Sequence, residues 1–365
     1  MKQFLLQSVG LAALGTVADV VPLVDENRIL VHHGLHSLRA NPTPGLAELL
    51  RITSLDQKPH LASEDIGFSL APRLNAAGRL GQAELAVELL TTDSHDRARQ
   101  LAEFLQELND RRGSLERSVY LAANKQANGD FDPQADPALV LSAHDWHAGV
   151  IGIVAGRLAE KFHRPVVMVA LDPLGVKPGI GSARTIPSLA LHEALAACRE
   201  HLLSHGGHAA AAGLTIESAK VSAFRDDFCE YVAGEVCEED LTALLTIDAE
   251  APLAMLTHEA VQQIERLAPF GAGNHRPVFC TTDVRLAAPA KRMGGGGRHL
   301  SLTLEQHGVR MRAVAFGKGD WADEMNQLTE PISVAFQPVI NHFRGMRRVE
   351  LQLSDWICGR PALVD

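Results

Sequence analysis

The sequence predicts a multidomain α/β protein. It has a helical N-terminal segment over residues 1–92, a long connecting helix over 93–128, an α/β domain over 129–236 and a small β-barrel over 237–365. Three observations predict this. An apolar stripe of helical period runs from Ala98 to Ala122, strand and helix patterns alternate from Ala138 onward, and short strand runs separated by glycine turns fill the last hundred residues.

In the first segment, Gly45 to Leu50 and Gln82 to Leu90 have helical spacing, and Pro22, Pro42, Pro44, Pro59 and Pro72 punctuate the rest as turns. The connecting helix is capped by Asp93 or Ser94. Its stripe of Ala98, Leu101, Leu105, Leu108, Leu115, Val119 and Ala122 is broken once, by Arg112.

The third segment opens with a buried strand, Ala138 to Ser142. A helix with Val150, Val154, Leu158 and Phe162 on one face follows, and then a second strand, Pro165 to Ala170. That order reads as a parallel βαβ unit. A strand-like Gly179 to Arg184 comes next, then a helix from Ser188 to Leu203, a turn at Gly206-Gly207-His208 and a helix from Val221 to Val232. Beyond a helix near Met255 to Leu267, strands are expected at Val278 to Cys280, His299 to Leu304, Met311 to Phe316, Ile332 to Phe336 and Val349 to Leu353.

Composition narrows the class. The chain has 365 residues, 46% hydrophobic and 21% charged, with net charge −10, which excludes collagen-like, low-complexity and disordered architectures. Five scattered cysteines without a Cys-x-x-Cys pair argue against a disulfide framework or a zinc knuckle and fit a reducing cytosol. The apolar start lacks a basic n-region and a polar break after Ala18, so it is not read as a signal peptide. No run reaches the length of a membrane span.

Several residues are placed to carry chemistry. Ser182 and Arg184, after Gly179-Ile180-Gly181, pair a hydroxyl with a guanidinium fork, as phosphate binding requires, although a solvated strand end is an equal reading. Gly206 and Gly207 allow close backbone approach beside His208, a proton carrier or phosphate donor; a helix C-cap is the plainer alternative. Arg79 and Asn75 in Asn75-Ala76-Ala77-Gly78-Arg79 suit a phosphate and a scissile group, or a turn and a surface arginine. Asp19 is an acidic residue in apolar surroundings and so a metal-ligand candidate, or else a turn aspartate. His147, in the loop after the first strand of the βαβ unit, is a candidate site lining. His201 and His205, four apart, imitate a metal pair but read as exposed helix histidines.

Residues 276–365 hold 12 Lys and Arg against 9 Asp and Glu, reversing the acidic balance of the rest. The basic residues fall in three clusters: Lys291, Arg292 and Arg298; Arg310 and Arg312; Arg344, Arg347 and Arg348. With Phe343 and Trp356 nearby they fit a single-stranded nucleic-acid groove as well as simple surface solvation.

Taken together, the runs Gly15 to Leu23, Arg73 to Arg79, Trp146 to Gly152, Gly181 to Arg184, Gly206 to His208 and Pro269 to Asn274 resemble, in order, the motifs of the RecJ family of DHH phosphoesterases. The resemblance implies a C-terminal part of a DHH domain, a connecting helix, a DHHA1-type domain and an OB-like barrel. It also implies single-strand-specific 5′→3′ exonuclease activity in DNA repair and recombination, with Mn²⁺ or Mg²⁺ as cofactor and single-stranded DNA with a 5′ end as substrate.

On this resemblance Asp19 matches a metal ligand, Arg79 lies by the substrate backbone, Ser182 and Arg184 hold the 5′ phosphate, and Gly206, Gly207 and His208 face the active site. A single-strand-binding protein and a helicase are implied as partners of a cytoplasmic monomer. The family's earlier motifs, an Asp-x-Asp pair, a further Asp and Asp-His-His, have no counterpart before Asp19, and Val31-His32-His33 does not replace them. The two-metal site is therefore expected to be incomplete in this chain. The chain reads as the C-terminal two-thirds of such an enzyme, inactive alone, with a non-catalytic single-strand-binding protein as the alternative.

Overall fold

The computed structural model describes residues 2–130, 132, 136–343 and 346–360. In chain order the elements are α1 (Lys2–Ala18), α2 (Asp25–Ala40), α3 (Pro44–Ile52), a short α4 (Ser63–Asp65), α5 (Ala71–Arg79), α6 (Ala83–Thr91), α7 (His95–Asp130), β1 (Leu139–Ala143), α8 (Ala148–Phe162), β2 (Val166–Ala170), β3 (Gly179–Arg184), α9 (Leu191–Ala197), β4 (Leu202–Gly207), β5 (Ala211–Ile216) and α10 (Val221–Glu235). After these come β6 (Ala249–Glu250), α11 (His258–Glu265), β7 (Phe279–Met293), β8 (His299–Gln306), β9 (Val309–Ala315), α12 (Trp321–Met325), β10 (Ile332–Phe343) and β11 (Met346–Cys358). They group into two units, one of Met1–Pro42, Lys58–Phe68 and Leu245–Asp365, the other of Thr43–Gln57 and Ser69–Leu244.

In the second unit α3, α5 and α6 pack on α7. Thr43 caps α3 by accepting from the Leu46 N–H, and Pro44 occupies the first turn, where no N–H is needed. Ser94 caps α7, its hydroxyl accepting from the Arg97 N–H at 3.3 Å. Ala98, Leu101, Leu105, Leu108 and Val119 bury as expected, but further along Ala123 and Ala127 face inward and Ala122 is exposed. A straight helix drifts against a strict three-four alternation, and the stripe has moved by one residue.

The five-stranded sheet runs β1-β2-β3-β5-β4, with β1 and β2 parallel and joined through α8, and the rest antiparallel. Strands β1 and β2 are sandwiched. Val140, Val167 and Val169 join a cluster with Phe224 and Phe228 of α10, while Leu139, Leu141 and Met168 join one with Val119, Val150 and Val154 of α7 and α8. Truncating either fully buried phenylalanine to alanine would cost about 3–5 kcal/mol.

The expected helix to Leu203 and the turn at 206–208 are corrected here. Helix α9 stops at Ala197, and residues 202–216 form the hairpin β4–β5 on the sheet edge. The small residues Ala211 to Gly213 pair with Ser182 to Arg184 of β3, and that pairing, absent from any local pattern, decides the conformation. Gly207 has φ +143, and a Cβ there would lie 2.4 Å from the Ala211 carbonyl oxygen, so the close hairpin needs glycine.

In the first unit, α1 packs on α2 where Gly34 permits close approach: a Cβ on it would stand 2.3 Å from that of Ala13. The segment Pro269 to Asn274 is stitched to the loop after α1, with the Leu23 N–H donating to the Ala272 carbonyl at 2.6 Å and the Ser63 hydroxyl to the Phe270 carbonyl at 2.5 Å. Strands β7, β8, β9, β11 and β10 follow one another in space, and β10 pairs back onto β7. This is a closed five-stranded barrel, with β9 and β11 parallel, around a core that includes Val284, Leu302, Val334, Phe336 and Leu351. Its strands are longer than their sequence runs. β7 passes through Pro289 by way of register shifts between Leu286 and Ala288 and between Ala288 and Lys291, where proline is tolerated.

Candidate nucleic-acid interface

Helix α8 opens after β1 with His147 as its N-cap, the ring Nδ1 accepting from the Gly149 N–H at 3.0 Å. Two glycines in its first turns let other groups come close. A Cβ on Gly149 would lie 2.2 Å from the Arg79 carbonyl oxygen, and one on Gly152 would lie 2.8 Å from Ser182 Oγ and 3.2 Å from Arg184 Nη2. Arg79 also donates to the Gly149 carbonyl, at 3.4 Å. Arg79, His147, Ser182 and Arg184 thus meet around the positive end of a 15-residue helix.

The charges there are undercompensated. Among the described residues Arg184 donates only to neutral acceptors, Ser182 Oγ at 3.2 Å and the Ala183 carbonyl at 2.7 Å. Burial, and then the Arg79 charge, lower its pKa. Arg79 is lowered by desolvation first and then by the Arg112 charge, with Glu116 opposing. Arg112, the residue that breaks the apolar stripe of α7, shares Glu116 with Arg157, at 2.8 and 3.0 Å, and its own Nε is buried with no partner among the described residues.

Both groups remain guanidinium at neutral pH, because the ordinary arginine value is so high. A cluster in which the Arg112 charge lowers Arg79 and the Arg79 charge lowers Arg184 is a site prepared for an anion, and a terminal phosphate with its oxygens in a tripod matches the forked donors. Arg112 was missed as a site residue by sequence reasoning, although the signal was present as the one cation in an otherwise apolar helical stripe.

Other expected site residues fall differently. Asn75 is exposed on α5, a helix and not the turn that was its plainer alternative. Gly206 lies on β4, Gly207 ends that strand, and His208 follows exposed in the hairpin loop, its N–H donating to the Ala211 carbonyl at 2.9 Å. His201 and His205 do not share a helix. His201 closes a short 3₁₀ turn with Nε2 2.6 Å from Asp227, and His205 lies on β4.

Asp19 is corrected in its environment. It is exposed on the turn after α1, its N–H donating to the Gly15 carbonyl at 3.0 Å, and is not a carboxylate buried among apolar groups. A helix end beside a left-handed Val20 carries it outward. Among the described residues the one group of three metal-donor side chains is Glu200, His201 and Asp227. Asp19 has no such companions, so the donors described in this chain do not assemble a two-ion site around it.

On the barrel, Arg310 and Arg312 of β9 and Arg348 of β11 line one cavity. Lys291, Arg292 and Arg298 lie outside that cavity, at the β7–β8 turn, with Arg292 held by Asp323 at 2.6 Å and Asp320 at 3.4 Å. Arg347 is exposed on β11. Arg344 lies outside the described residues.

Comparison with known proteins matches this geometry to one family. Residues 135–234 match the DHHA1 domain and residues 247–355 the RecJ OB domain. The chain is 36% identical to the single-stranded-DNA-specific exonuclease RecJ of Dickeya dadantii, over 94% of this chain and 60% of that protein. It is 32% identical to RecJ of Bacillus subtilis, over 94% and 43%. The crystal structure of RecJ with Mg²⁺ from Thermus thermophilus superposes with TM-score 0.81 at 33% identity, over 98% of this chain and 53% of that one.

The chain is similar to RecJ along nearly its whole length. It spans about half the length of the RecJ proteins it matches. RecJ from Thermus thermophilus is also known with Mn²⁺ bound, so either ion serves as the metal of RecJ structures.

Proposed function

We propose that this chain is the strand-gripping part of a RecJ single-strand-specific 5′→3′ exonuclease, with the arginine cluster at the start of α8 holding the 5′-terminal phosphate and the barrel holding the strand that follows. The observation that carries this reading is the set Arg79, Arg112 and Arg184. These charges oppose one another, and among the described residues only one carboxylate, Glu116, acts on the cluster. Such a set is stabilised by a dianion more than by any neutral ligand. Basic side chains on an OB-type barrel add affinity that does not depend on sequence.

In this reading Asn75, His147 and Gly206 to His208 line the path of the first nucleotides, and Asp19 is one of several ligands to Mn²⁺ or Mg²⁺, the others not being described in this chain. The ion supplies a hydroxide and charge neutralisation when bound. What these residues do is bind and orient the end of the strand. The five unpaired cysteines and the family's work on DNA favour the cytoplasm. A single-strand-binding protein and a helicase are the proposed partners of a monomer, placing the chain in repair and recombination.

The test is incubation of the purified chain with 5′-labelled single-stranded DNA and Mn²⁺, following binding and degradation together. Binding without degradation is expected. Degradation that Asp19→Ala abolishes would show a complete metal site and overturn the gripping role. Absence of binding would overturn the reading altogether.

A further inference from the structure

Glu116 stands where the arginine cluster meets the long helix α7. Its side chain is 15% exposed and both of its oxygens are engaged, Oε2 accepting from Arg112 Nη1 at 2.8 Å and Oε1 from Arg157 Nη1 at 3.0 Å. Arg112 lies one turn earlier on α7, whereas Arg157 comes from α8, the helix whose first turns form the cluster. Each guanidinium has a second hold. Arg112 donates to Asn109 Oδ1 at 3.2 Å, and the Arg157 guanidinium carbon lies 4.0 Å from the centre of the Tyr120 ring. One turn beyond Tyr120, Asn124 accepts from Lys161 of α8 at 2.5 Å. Arg112, Glu116, Tyr120 and Asn124 thus form a polar ladder, four residues apart, along the seam of α7 and α8. Of these groups Glu116 alone is an anion.

A strut between two helices does not need a charge, since the neutral acceptor of Asn124 already serves the same seam. The carboxylate adds something else. In the empty site its charge offsets guanidiniums that otherwise oppose one another, which stabilises the fold. In the filled site the same charge repels a phosphate dianion held by those guanidiniums. An exonuclease working along a strand binds a terminal phosphate and releases it with each nucleotide removed, so the tightest grip is not the most productive one.

We propose that Glu116 is a positioning residue that limits how tightly the arginine cluster holds a 5′ phosphate. It keeps Arg112 and Arg157 in place when the site is empty and weakens the hold when the site is filled. The phosphate ligand rests on the function proposed above, and the role of Glu116 goes beyond it.

The experiment titrates a 5′-phosphorylated dinucleotide and its 5′-hydroxyl counterpart into the full chain, Glu116→Gln and Arg157→Gln, and records the unfolding midpoint of each protein. Glu116→Gln keeps the size of the side chain and removes its charge. It should lower the midpoint of the free protein by several degrees, yet tighten the phosphorylated dinucleotide about tenfold and leave the hydroxyl form within about twofold. Arg157 is 46% exposed, so its replacement leaves the fold intact. Arg157→Gln leaves Glu116 with Arg112 alone, and the less compensated carboxylate should weaken the phosphorylated dinucleotide about threefold.

Opposite signs in the two variants are the signature of a charge that opposes the ligand. Weakening in both would make Glu116 a strut and overturn the proposal, as would an unchanged affinity in Glu116→Gln. If Glu116→Gln fails to fold, Arg157→Gln decides: weaker phosphate binding supports the proposal, and equal or tighter binding overturns it. Failure of the phosphate reading looks different, because the unaltered chain then binds the two dinucleotides equally and both claims fall. A preference in the unaltered chain that Glu116→Gln does not sharpen removes the role of Glu116 alone.

Discussion

Gly152→Ala adds one methyl group to the proposed phosphate site without altering any charge. Within α8 the change relieves the glycine penalty of about 0.5–1 kcal/mol. The new Cβ would lie 2.8 Å from Ser182 Oγ, closer than atoms tolerate, and 3.2 Å from Arg184 Nη2, a contact that a small shift relieves. Overpacking of this kind costs about 1–3 kcal/mol, less when a side chain can turn away, and Ser182 has a single rotatable bond with which to do so. The two effects nearly offset, so the midpoint of thermal unfolding should move by less than about 5 °C.

Binding should respond far more. With Ser182 turned aside and Arg184 displaced from the hydroxyl it meets at 3.2 Å, the site loses at least one charge-assisted hydrogen bond. Such a bond is worth about 1.5–3 kcal/mol, which is roughly 10- to 150-fold in affinity. Isothermal titration with a 5′-phosphorylated dinucleotide probes this site. An unchanged dissociation constant in a folded Gly152→Ala protein would refute the assignment of Ser182 and Arg184 to the phosphate.

Other consequences can be checked independently. Gly207→Ala should lower the unfolding midpoint by several degrees and loosen the β4–β5 hairpin in hydrogen exchange, because the new Cβ meets the Ala211 carbonyl and a +143° φ is closed to alanine. Burial, reinforced by the Asp227 and Glu200 charges, pushes the Cys198 thiol up to about 11, so a thiol reagent at pH 8 should modify it only on unfolding. The exposed Cys237 is held above the ordinary range by its hydrogen bond to Asp240, and Asp240→Asn should speed its modification.

Asp172 accepts from the N–H groups of Val176 and Lys177, which holds its pKa below the ordinary value in the folded loop. A carboxylate depressed on folding stabilises above the unfolded value, near pH 4, and loses that contribution as pH falls through the lower folded value. Chemical shifts of the Val176 and Lys177 amides should therefore hold steady from pH 8 to about 4 and move only below it. Movement near neutrality would contradict the assignment.

Elements with a strong period were legible in the sequence. The βαβ unit stands where its patterns placed it, because β1, α8 and β2 bury apolar residues in proportions that no other local structure satisfies. The run from Gly206 to Gly213 was illegible for the opposite reason: alanine and glycine carry no period, and the β3 partner strand that sets their conformation is more than twenty residues away. Strand β7 runs well past the expected Val278 to Cys280, because the two register shifts around Pro289 let the ladder continue.

At the site, Ser182 and Arg184 could be named from a glycine-rich strand end, and Arg79 from its motif. Their convergence could not, since it depends on Gly149 and Gly152 bringing α8 against both. Arg112 shows how a violated pattern can be more informative than a kept one. A cation on the buried stripe of α7 must be answered by a ligand or a carboxylate, and Glu116 answers only part of it.

The central claim, that the arginine cluster grips the 5′ end of a single strand, is tested most directly by the ratio of affinities for one oligonucleotide with a 5′ phosphate and with a 5′ hydroxyl, measured for the chain and for Arg184→Ala at fixed salt. The predicted result is a preference of tenfold or more for the phosphate in the chain, collapsing to near one in the variant while affinity for the hydroxyl strand is retained. A ratio near one in the unaltered chain, or a preference that survives Arg184→Ala, would contradict it.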